Sequence, residues 1–326
     1  MTTSIIDSLT SHMVRLIGNR IAPHGKGQGR LCILNYHRIL EHADPMLDED
    51  PDVDMFRWQM QALASSFNVM PLYDAMLALK HDRMPPRAVA ITFDDGYRST
   101  HDLALPILKE FGLPATVFVT TGYMDGNNMW NDRILEAVRR LPEGTLDLQD
   151  LGLGLHPVST LTERKSTAGK LIEIAKYLAP EKRLELSLKL ESLIGEHRSA
   201  DLMLTREMVH ALAQQGMEVG GHTITHPILT RLDDQRARDE ITGCKEQLEI
   251  IIGKPVRLFA YPNGKVGMDF DERHVQMAKA AGYSAAFTTA MGSVKPEMDL
   301  HQIPRSRPWD NTPLLFKLRL LRWLAI

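Results

Sequence analysis

The feature that most constrains the fold is a short apolar run that ends in two adjacent aspartates. Residues 88–93, Ala-Val-Ala-Ile-Thr-Phe, lie between a proline pair and Gly96. This pattern is typical of a buried strand that stops at a turn. The strand carries Asp94 and Asp95 to its carboxyl end, where α/β folds build their sites. The stretch therefore predicts either a two-carboxylate site or a solvated Asp-Asp-Gly turn.

Composition places the chain among globular proteins. It has 326 residues, of which 44% are hydrophobic and 24% charged, enough for one large α/β domain with insertions or for two smaller domains. The net charge of −3 provides no basic field, so we expect no nucleic-acid partner. Two cysteines, Cys32 and Cys244, do not indicate a disulfide framework. No apolar run approaches the roughly 18–20 residues of a membrane span.

Both ends of the chain are amphipathic. Apolar residues recur at helical spacing in the N-terminal segment 1–30, at Ile5, Leu9, Met13, Leu16 and Ile17. The C-terminal segment 311–326 is very apolar and carries three cations. Each segment either packs on the domain or makes peripheral contact with a membrane surface. Segment 1–30 lacks the features of a secretory signal, so we expect a cytoplasmic protein, or one peripheral at the inner membrane face.

The order of elements predicts a parallel sheet or barrel. Apolar strands are expected at 31–37, 88–93, 115–120, 217–220, 256–260 and 284–288. Helical patterns separate them, with Asp54, Thr205 and Asp233 as expected starts. Segment 122–200 breaks this rhythm with three helical patterns around a loop at 151–155, so we interpret it as a helical insertion. The expected division is 1–30, a barrel over 31–310, and a helix over 311–326.

A histidine pair supplies partners for the two aspartates. His222 and His226 follow a predicted strand and a Gly-Gly pair. On a helical turn, residues four apart face one side and can hold one metal ion, although thirteen histidines also make a chance pair plausible. Asp95 would complete a three-ligand site and leave Asp94 as general base. Arg257, which leads the next predicted strand, would orient Asp94 or form a surface ion pair.

Three segments together resemble the polysaccharide deacetylases, carbohydrate esterase family four, also called the NodB-homology domain. They are Thr-Phe-Asp-Asp-Gly-Tyr at 92–97, His-Thr-Ile-Thr-His at 222–226 and Arg-Leu-Phe-Ala-Tyr-Pro-Asn-Gly at 257–264. The resemblance implies a distorted (β/α)7 barrel and metal-dependent removal of acetyl groups from N-acetylated sugars. It assigns the first aspartate as base and the second as metal ligand with both histidines. It further implies that Arg257 orients the base and that the backbone of Tyr261 binds the developing oxyanion.

The chain departs from the family pattern in its later motifs. No Asp and Trp follow Gly264 in their usual places, and no Leu-x-His strand end lies near the C-terminus. Ile-Leu-Asn-Tyr-His at 33–37 resembles such a strand that ends in a histidine, but at the N-terminal end of the chain, as in exopolysaccharide deacetylases with a circularly permuted barrel. We therefore hypothesise that His37 is the general acid; a structural role for His37 is the alternative, and His301 is the rival acid.

Three further residues are expected near the substrate. Tyr97 and Trp130 would stack on sugar rings or simply pack, and Arg305 would neighbour the site. The leading interpretation is a deacetylase of an N-acetylhexosamine-containing polysaccharide or its precursor, acting in exopolysaccharide or cell-envelope metabolism. Zinc is the expected metal. The alternatives are hydrolysis of another carbon–nitrogen amide and a non-catalytic glycan-binding or assembly protein on the same barrel.

Overall fold

A curled parallel sheet forms the centre of the molecule. The computed structural model describes residues 2–21, 28–126, 128–194, 201–308 and 310–325. The strands are β1 (Leu31–Tyr36), β2 (Asn68–Val69), β3 (Ala88–Phe93), β4 (Thr116–Val119), β5 (Thr145–Leu148), β6 (Gly154–Pro157), β7 (Glu218–Gly221), β8 (Leu258–Ala260) and β9 (Ala285–Phe287). The main sheet runs in the order β1-β3-β4-β7-β8-β9, with β2 beside β3. Its pairs are all parallel, as the alternation of strands and helices predicted.

Helices surround the sheet. They are α1 (Thr2–Ile21), α2 (Val53–Ser66), α3 (Leu72–Lys80), α4 (Leu105–Glu110), α5 (Trp130–Arg140), α6 (Leu161–Lys176), α7 (Pro180–Leu193), α8 (Arg206–Gln214), α9 (Asp234–Ile252), α10 (Glu272–Ala280) and α11 (Pro313–Ala325). Thr205 and Asp233 accept backbone hydrogen bonds as N-caps of α8 and α9, as predicted. The cap of α2 is Asp52 and not Asp54, because the Asp52 side chain accepts from the Met55 N–H.

The sheet continues round into a distorted (β/α)7 barrel. The extended segment 303–306 lies between β9 and β1. On one side, Thr288 N–H donates to Ile303 O (2.8 Å), and on the other, Asn35 N–H donates to Ser306 O (3.0 Å). With the six strands of the main path, this segment makes seven positions. The predicted fold class is therefore confirmed, and every residue of β1 and β3 is buried, as their apolar runs require.

Parallel strands place all their carboxyl ends at one edge. His37, Asp94, His222 and Tyr261 directly follow β1, β3, β7 and β8, so they lie at the same edge of the sheet. Arg257 precedes β8 and therefore lies at the opposite edge. This difference decides which arginine can reach the aspartates.

The segment between β4 and α8 forms a layer with its own apolar core. Side chains from α5, α6 and α7 fill that core, among them Ile134, Leu171 and Leu190. The loop expected at 151–155 is wrong in part, because β5 and β6 pair as an antiparallel hairpin. Each strand is four residues long, and Gly152 turns between them with φ 72°, so the pattern was too short to distinguish from a loop.

The terminal helices lie against each other and against α2. Val14 of α1 and Phe316, Leu320 and Leu324 of α11 enter the main core. Lys317 Nζ donates to Ser11 Oγ at 2.9 Å, which joins the two helices. Residues 22–27 of the expected 1–30 segment lie outside the described residues. Within the part that the structure describes, no helix combines the length and apolarity needed to cross a membrane.

Candidate active site

Asp94 is held by Arg305. The guanidinium donates from Nη1 to Oδ1 (2.6 Å) and from Nη2 to Oδ2 (2.7 Å), and both side chains are buried. Arg305 is itself fixed, since its Nε donates to Thr288 O at 3.1 Å. Burial raises the pKa of Asp94, but the charge of Arg305, followed by His222, outweighs burial and lowers it below its ordinary value. The arrangement keeps Asp94 ionised and in one orientation.

The prediction that Arg257 orients Asp94 is wrong. Arg257 is exposed before β8 and lies over the ring of Tyr73, 4.7 Å from its centroid. A residue at the amino edge of the sheet cannot reach an aspartate at the carboxyl edge. Arg305, which was expected to neighbour the site as a substrate contact, makes the ion pair instead.

Asp95 faces both predicted histidines. Its Oδ1 lies 3.3 Å from His222 Nε2 and 3.4 Å from His226 Nε2. The three ligand atoms lie within 4.8 Å of one another. Among the described residues, no donor completes a hydrogen bond to the buried Asp95 Oδ1. An orphaned carboxylate oxygen between two imidazoles fits a divalent cation, and one carboxylate with two histidines is a common donor set for zinc.

The environment fixes the ring of His222 and keeps the ring of His226 neutral. His222 Nδ1 lies 2.7 Å from the carbonyl oxygen of Ala260, and this contact fixes the ring with Nε2 towards Asp95. Burial, offset in part by Asp95, lowers the pKa of His226 to about 3, so this ring is neutral at pH 7. Burial lowers the pKa of His222, but Asp94 and Asp95 together raise it above its ordinary value.

The histidine pair lies on a loop, not on the helical turn that its spacing suggested. Thr223 has φ 67° and His226 has φ 50°, and such left-handed backbone is unusual for a β-branched residue. Glu240 of α9 holds this loop: its Oε2 accepts the N–H groups of Ile224 (2.7 Å) and Thr225 (2.8 Å). Sequence reasoning missed Glu240, because it is one of several acids along an amphipathic helix.

Strain is concentrated at this edge. Among the residues that the structure describes, seven non-glycine residues have positive φ, and four of them belong to the site: Asp95, Thr223, His226 and Asn263. Unfavourable backbone of this kind persists where the surrounding contacts impose it, commonly at functional sites.

His37 lines the same cleft as the aspartates. Its Nε2 lies 3.4 Å from Nη2 of Arg307, and the Nη1 of the same guanidinium donates to Glu49 at 3.0 Å. Burial is the largest cause that lowers the pKa of His37 to about 4; Asp95 opposes it and Arg307 adds to it. His37 is therefore neutral at pH 7. Its rival His301 does not line the cleft and lies with Nε2 2.9 Å from Tyr283 O.

Tyr261 does not offer its backbone to an oxyanion. Its N–H donates to Phe287 O at 3.0 Å within the sheet, and its hydroxyl donates to His301 O. The ring stacks on Phe270 with centroids 3.8 Å apart. The expected oxyanion role of Tyr261 is therefore wrong, because the donor is already used in pairing β8 with β9.

The two aromatic residues predicted to stack on sugars are both buried. Trp130 packs in the core of the insertion with Arg183 over its ring, so its predicted substrate role is wrong. Tyr97 lines the cleft, but the guanidinium of Arg38 covers its ring at 4.4 Å. Asp132 accepts from both Arg38 and the Tyr97 hydroxyl, so these three residues join α5 to the barrel.

The cleft above these residues has a volume of about 650 Å³, within the range of ligand sites. Helix α6 of the insertion forms one wall through residues three or four apart, Lys165, Gly169, Ile172 and Lys176. A Cβ atom built at Gly169 would meet nothing within 4 Å. The insertion therefore contributes directly to the walls of the site.

Comparison with known proteins extends these observations. Residues 81–286, more than half of the chain, match the family model for polysaccharide deacetylases. The chain is 20% identical over 279 residues to the YxkH protein of Bacillus subtilis, covering 85% of this chain and 71% of that protein. It is 30% identical over 160 residues to the poly-beta-1,6-N-acetyl-D-glucosamine N-deacetylase of Staphylococcus epidermidis, covering 45% of this chain and 54% of that protein. The second match thus spans about half of the relative's length.

The fold is also shared with a solved structure. Streptococcus pyogenes deacetylase PplD in complex with acetate aligns with a TM-score of 0.61 and 19% identity, covering 90% of this chain and 98% of that one. This likeness concerns the fold.

Proposed function

The chain belongs to the polysaccharide deacetylase family, and we propose that it is a metal-dependent hydrolase of N-acetyl groups on an N-acetylhexosamine-containing polysaccharide or its precursor. The observation that carries this proposal is the convergence of Asp95, His222 and His226 beside an Asp94 that Arg305 keeps ionised. The likeness to a poly-N-acetylglucosamine deacetylase supports a role in exopolysaccharide or cell-envelope metabolism.

Asp95, His222 and His226 would hold the metal, for which we propose zinc. When bound, such an ion supplies a Lewis acid for the amide carbonyl and makes a neighbouring water more acidic. The role of Glu240 is to hold the loop that carries both histidines in place.

Asp94 is the proposed general base. It takes a proton from the water whose oxygen attacks the acetyl carbon, and the carbon–nitrogen bond then breaks to give acetate and an amine. A positioned base contributes about 10²–10⁴-fold to such a step. Arg305 supports this role by keeping the carboxylate ionised, and its two bonds fix both carboxylate oxygens of an aspartate that lines the cleft.

His37 is the proposed donor to the leaving nitrogen. It lines the cleft, but with a pKa of about 4 it carries no spare proton at pH 7. It therefore acts as a relay, which first gains the proton that Asp94 removed from water and then passes it to the amine. This order conserves the proton within the site.

The wall formed by α6 favours a polymer over a single sugar. Glycine inside a helix destabilises it by roughly 0.5–1 kcal/mol relative to alanine. The gain that offsets this cost at Gly169 is the space left beside the helix, which further sugar units of a polymer would occupy. Lys165 and Lys176 lie one and two turns away along the same wall. Lys165 Nζ donates to Asp48 and Lys176 Nζ lies 3.8 Å from Asp269, so the remaining N–H groups are the donors for sugar oxygens.

The test is acetate release from partially purified poly-N-acetylglucosamine and from its oligomers by the zinc-loaded protein. We expect release that a chelator abolishes and added zinc restores, and that Asp94→Asn reduces by at least about 10²-fold. Asp102→Asn is the matched control, because Asp102 lies outside the cleft. Polymer that co-sediments with the protein without any acetate release would favour the non-catalytic glycan-binding alternative. Release from simple amides alone would favour the other-amide alternative.

A further inference from the structure

Two adjoining helices expose a large apolar surface. Six large side chains are between 45% and 58% exposed: Met13, Leu16 and Ile17 on α1, and Leu314, Leu315 and Leu318 on α11. Met13, Leu16 and Ile17 belong to the apolar stripe that the helical spacing of α1 predicted, and these three side chains face water. Apolar side chains grouped in this way on a folded protein mark an interaction site.

The two outward faces belong to one side of the molecule. Ser11 and Val14 of α1, and Phe316 and Leu320 of α11, form the inner faces and are buried. At about 100° per residue, the exposed positions lie opposite these inner stripes. Both helices rest against α2 and against each other, so they form one layer whose outer surface is apolar.

This layer is also basic. Helices α1 and α11 together carry five lysine or arginine residues and a single acid, Asp7, although the chain as a whole has a net charge of −3. Arg15, Arg20 and Arg322 are exposed. Basic charge beside exposed leucines complements an anionic lipid surface, where each cation contributes about 1 kcal/mol.

We propose that the outer surface of α1 and α11 binds the interface of a bilayer that contains anionic phospholipids. The leucines enter the boundary between headgroups and acyl chains, and the arginines bind lipid phosphates at its surface. Neither the apolar side chains nor the basic charge alone gives stable attachment to a membrane, whereas the two together do. Arg87 Nε donates to Asn19 near the amino edge of β3, so α1 reaches the end of the barrel opposite the cleft, which stays open.

The experiment is co-sedimentation of the full chain with vesicles of phosphatidylcholine alone or with about a third phosphatidylglycerol. We expect binding to the anionic vesicles, and weaker binding when salt shortens the Debye length from about 10 Å towards 3 Å. Leu315→Glu with Leu318→Glu lowers the partition coefficient at least about tenfold. Ile250→Glu is the matched control, because Ile250 is 82% exposed on α9 and its replacement leaves binding unchanged.

A second variant separates lipid binding from any loss of folding. Replacing Arg15, Arg20 and Arg322 by glutamine changes no buried side chain and lowers binding by about fivefold per arginine. Equal binding to neutral vesicles, or no effect of the leucine substitutions, overturns the proposal. A concentration-dependent dimer that the same leucine substitutions abolish also overturns it, since the surface would then belong to a second copy of the chain.

Discussion

Replacement of Arg305 tests the assignment of Asp94 as base most directly. The arginine is buried and makes two charge-assisted hydrogen bonds to Asp94. Its other side-chain hydrogen bonds go to Thr288 O and Thr92 Oγ1. Arg305→Lys keeps a positive charge but loses the planar fork that contacts both carboxylate oxygens. It therefore perturbs the base while it leaves Asp95, His222 and His226 in place.

The expected loss of kcat/KM in Arg305→Lys follows from the two hydrogen bonds of 2.6 and 2.7 Å between Arg305 and Asp94. A hydrogen bond to a charged group contributes about 1.5–3 kcal/mol, so losing one of them lowers kcat/KM by roughly tenfold to 150-fold. Arg305→Ala is more severe, because removal of one partner of a buried ion pair destabilises a protein by about 3–5 kcal/mol. The lysine variant is therefore the one for kinetics, and the alanine variant is the one for thermal unfolding.

The assay is acetate release as a function of pH. In the wild type, Arg305 holds the pKa of Asp94 below its ordinary value against the effect of burial. Weakening the ion pair raises the pKa of Asp94. The acid limb of the pH profile of kcat/KM therefore moves to higher pH in Arg305→Lys. The pair stabilises the fold above the unfolded aspartate pKa of about 3.9, and this stabilisation is lost as the pH falls through the lower folded pKa. The stability difference between wild type and variant therefore narrows in acid.

Arg257 provides the control. It lies over Tyr73 at the opposite edge of the sheet, so we expect Arg257→Ala to keep kcat/KM within about threefold of the wild type, since surface substitutions rarely change stability by more than about 0.5 kcal/mol. An unchanged acid limb in Arg305→Lys, or a loss in Arg257→Ala as large as that in Arg305→Lys, would refute the assignment.

Three further predictions concern other parts of the site. Glu240→Gln weakens zinc binding by about 10–100-fold in a competitive chelator titration, because it disturbs the support of the histidine loop, whereas Glu246→Gln on the exposed face of α9 does not. Gly169→Leu lowers kcat/KM for the polymer by about tenfold, equivalent to 1.36 kcal/mol, but leaves hydrolysis of a short oligomer unchanged. Gly169→Ala raises the melting temperature. Equal losses of kcat/KM on polymer and oligomer in Gly169→Leu would contradict the proposal that α6 binds the polymer. His37→Gln lowers kcat by about 10²–10⁴-fold with unchanged zinc affinity, and turnover close to that of the wild type would exclude the relay.

The parts of the fold that depend on burial were predictable from the sequence. Apolar runs such as 88–93 fixed the positions of strands, and the alternation of strands with helices fixed the parallel sheet. Contacts between distant segments were not predictable. Arg38 and Asp132 meet across 94 positions, and Glu240 reaches a loop that precedes its own helix. Nothing local in those stretches distinguishes such residues from ordinary surface charges.

The convergence of Asp94, Asp95, His222 and His226 followed from one physical rule, and the error at Arg257 came from setting that rule aside. Residues that follow parallel strands share an edge, and residues that precede them share the other. Arg257 precedes β8, whereas Arg305 lies towards the carboxyl end of the segment 303–306 that closes the barrel, so their positions along the strands separate them. The same rule places His37, which follows β1, at the edge of the aspartates. It makes His37 a stronger candidate than His301 for the proton relay before any contact is measured.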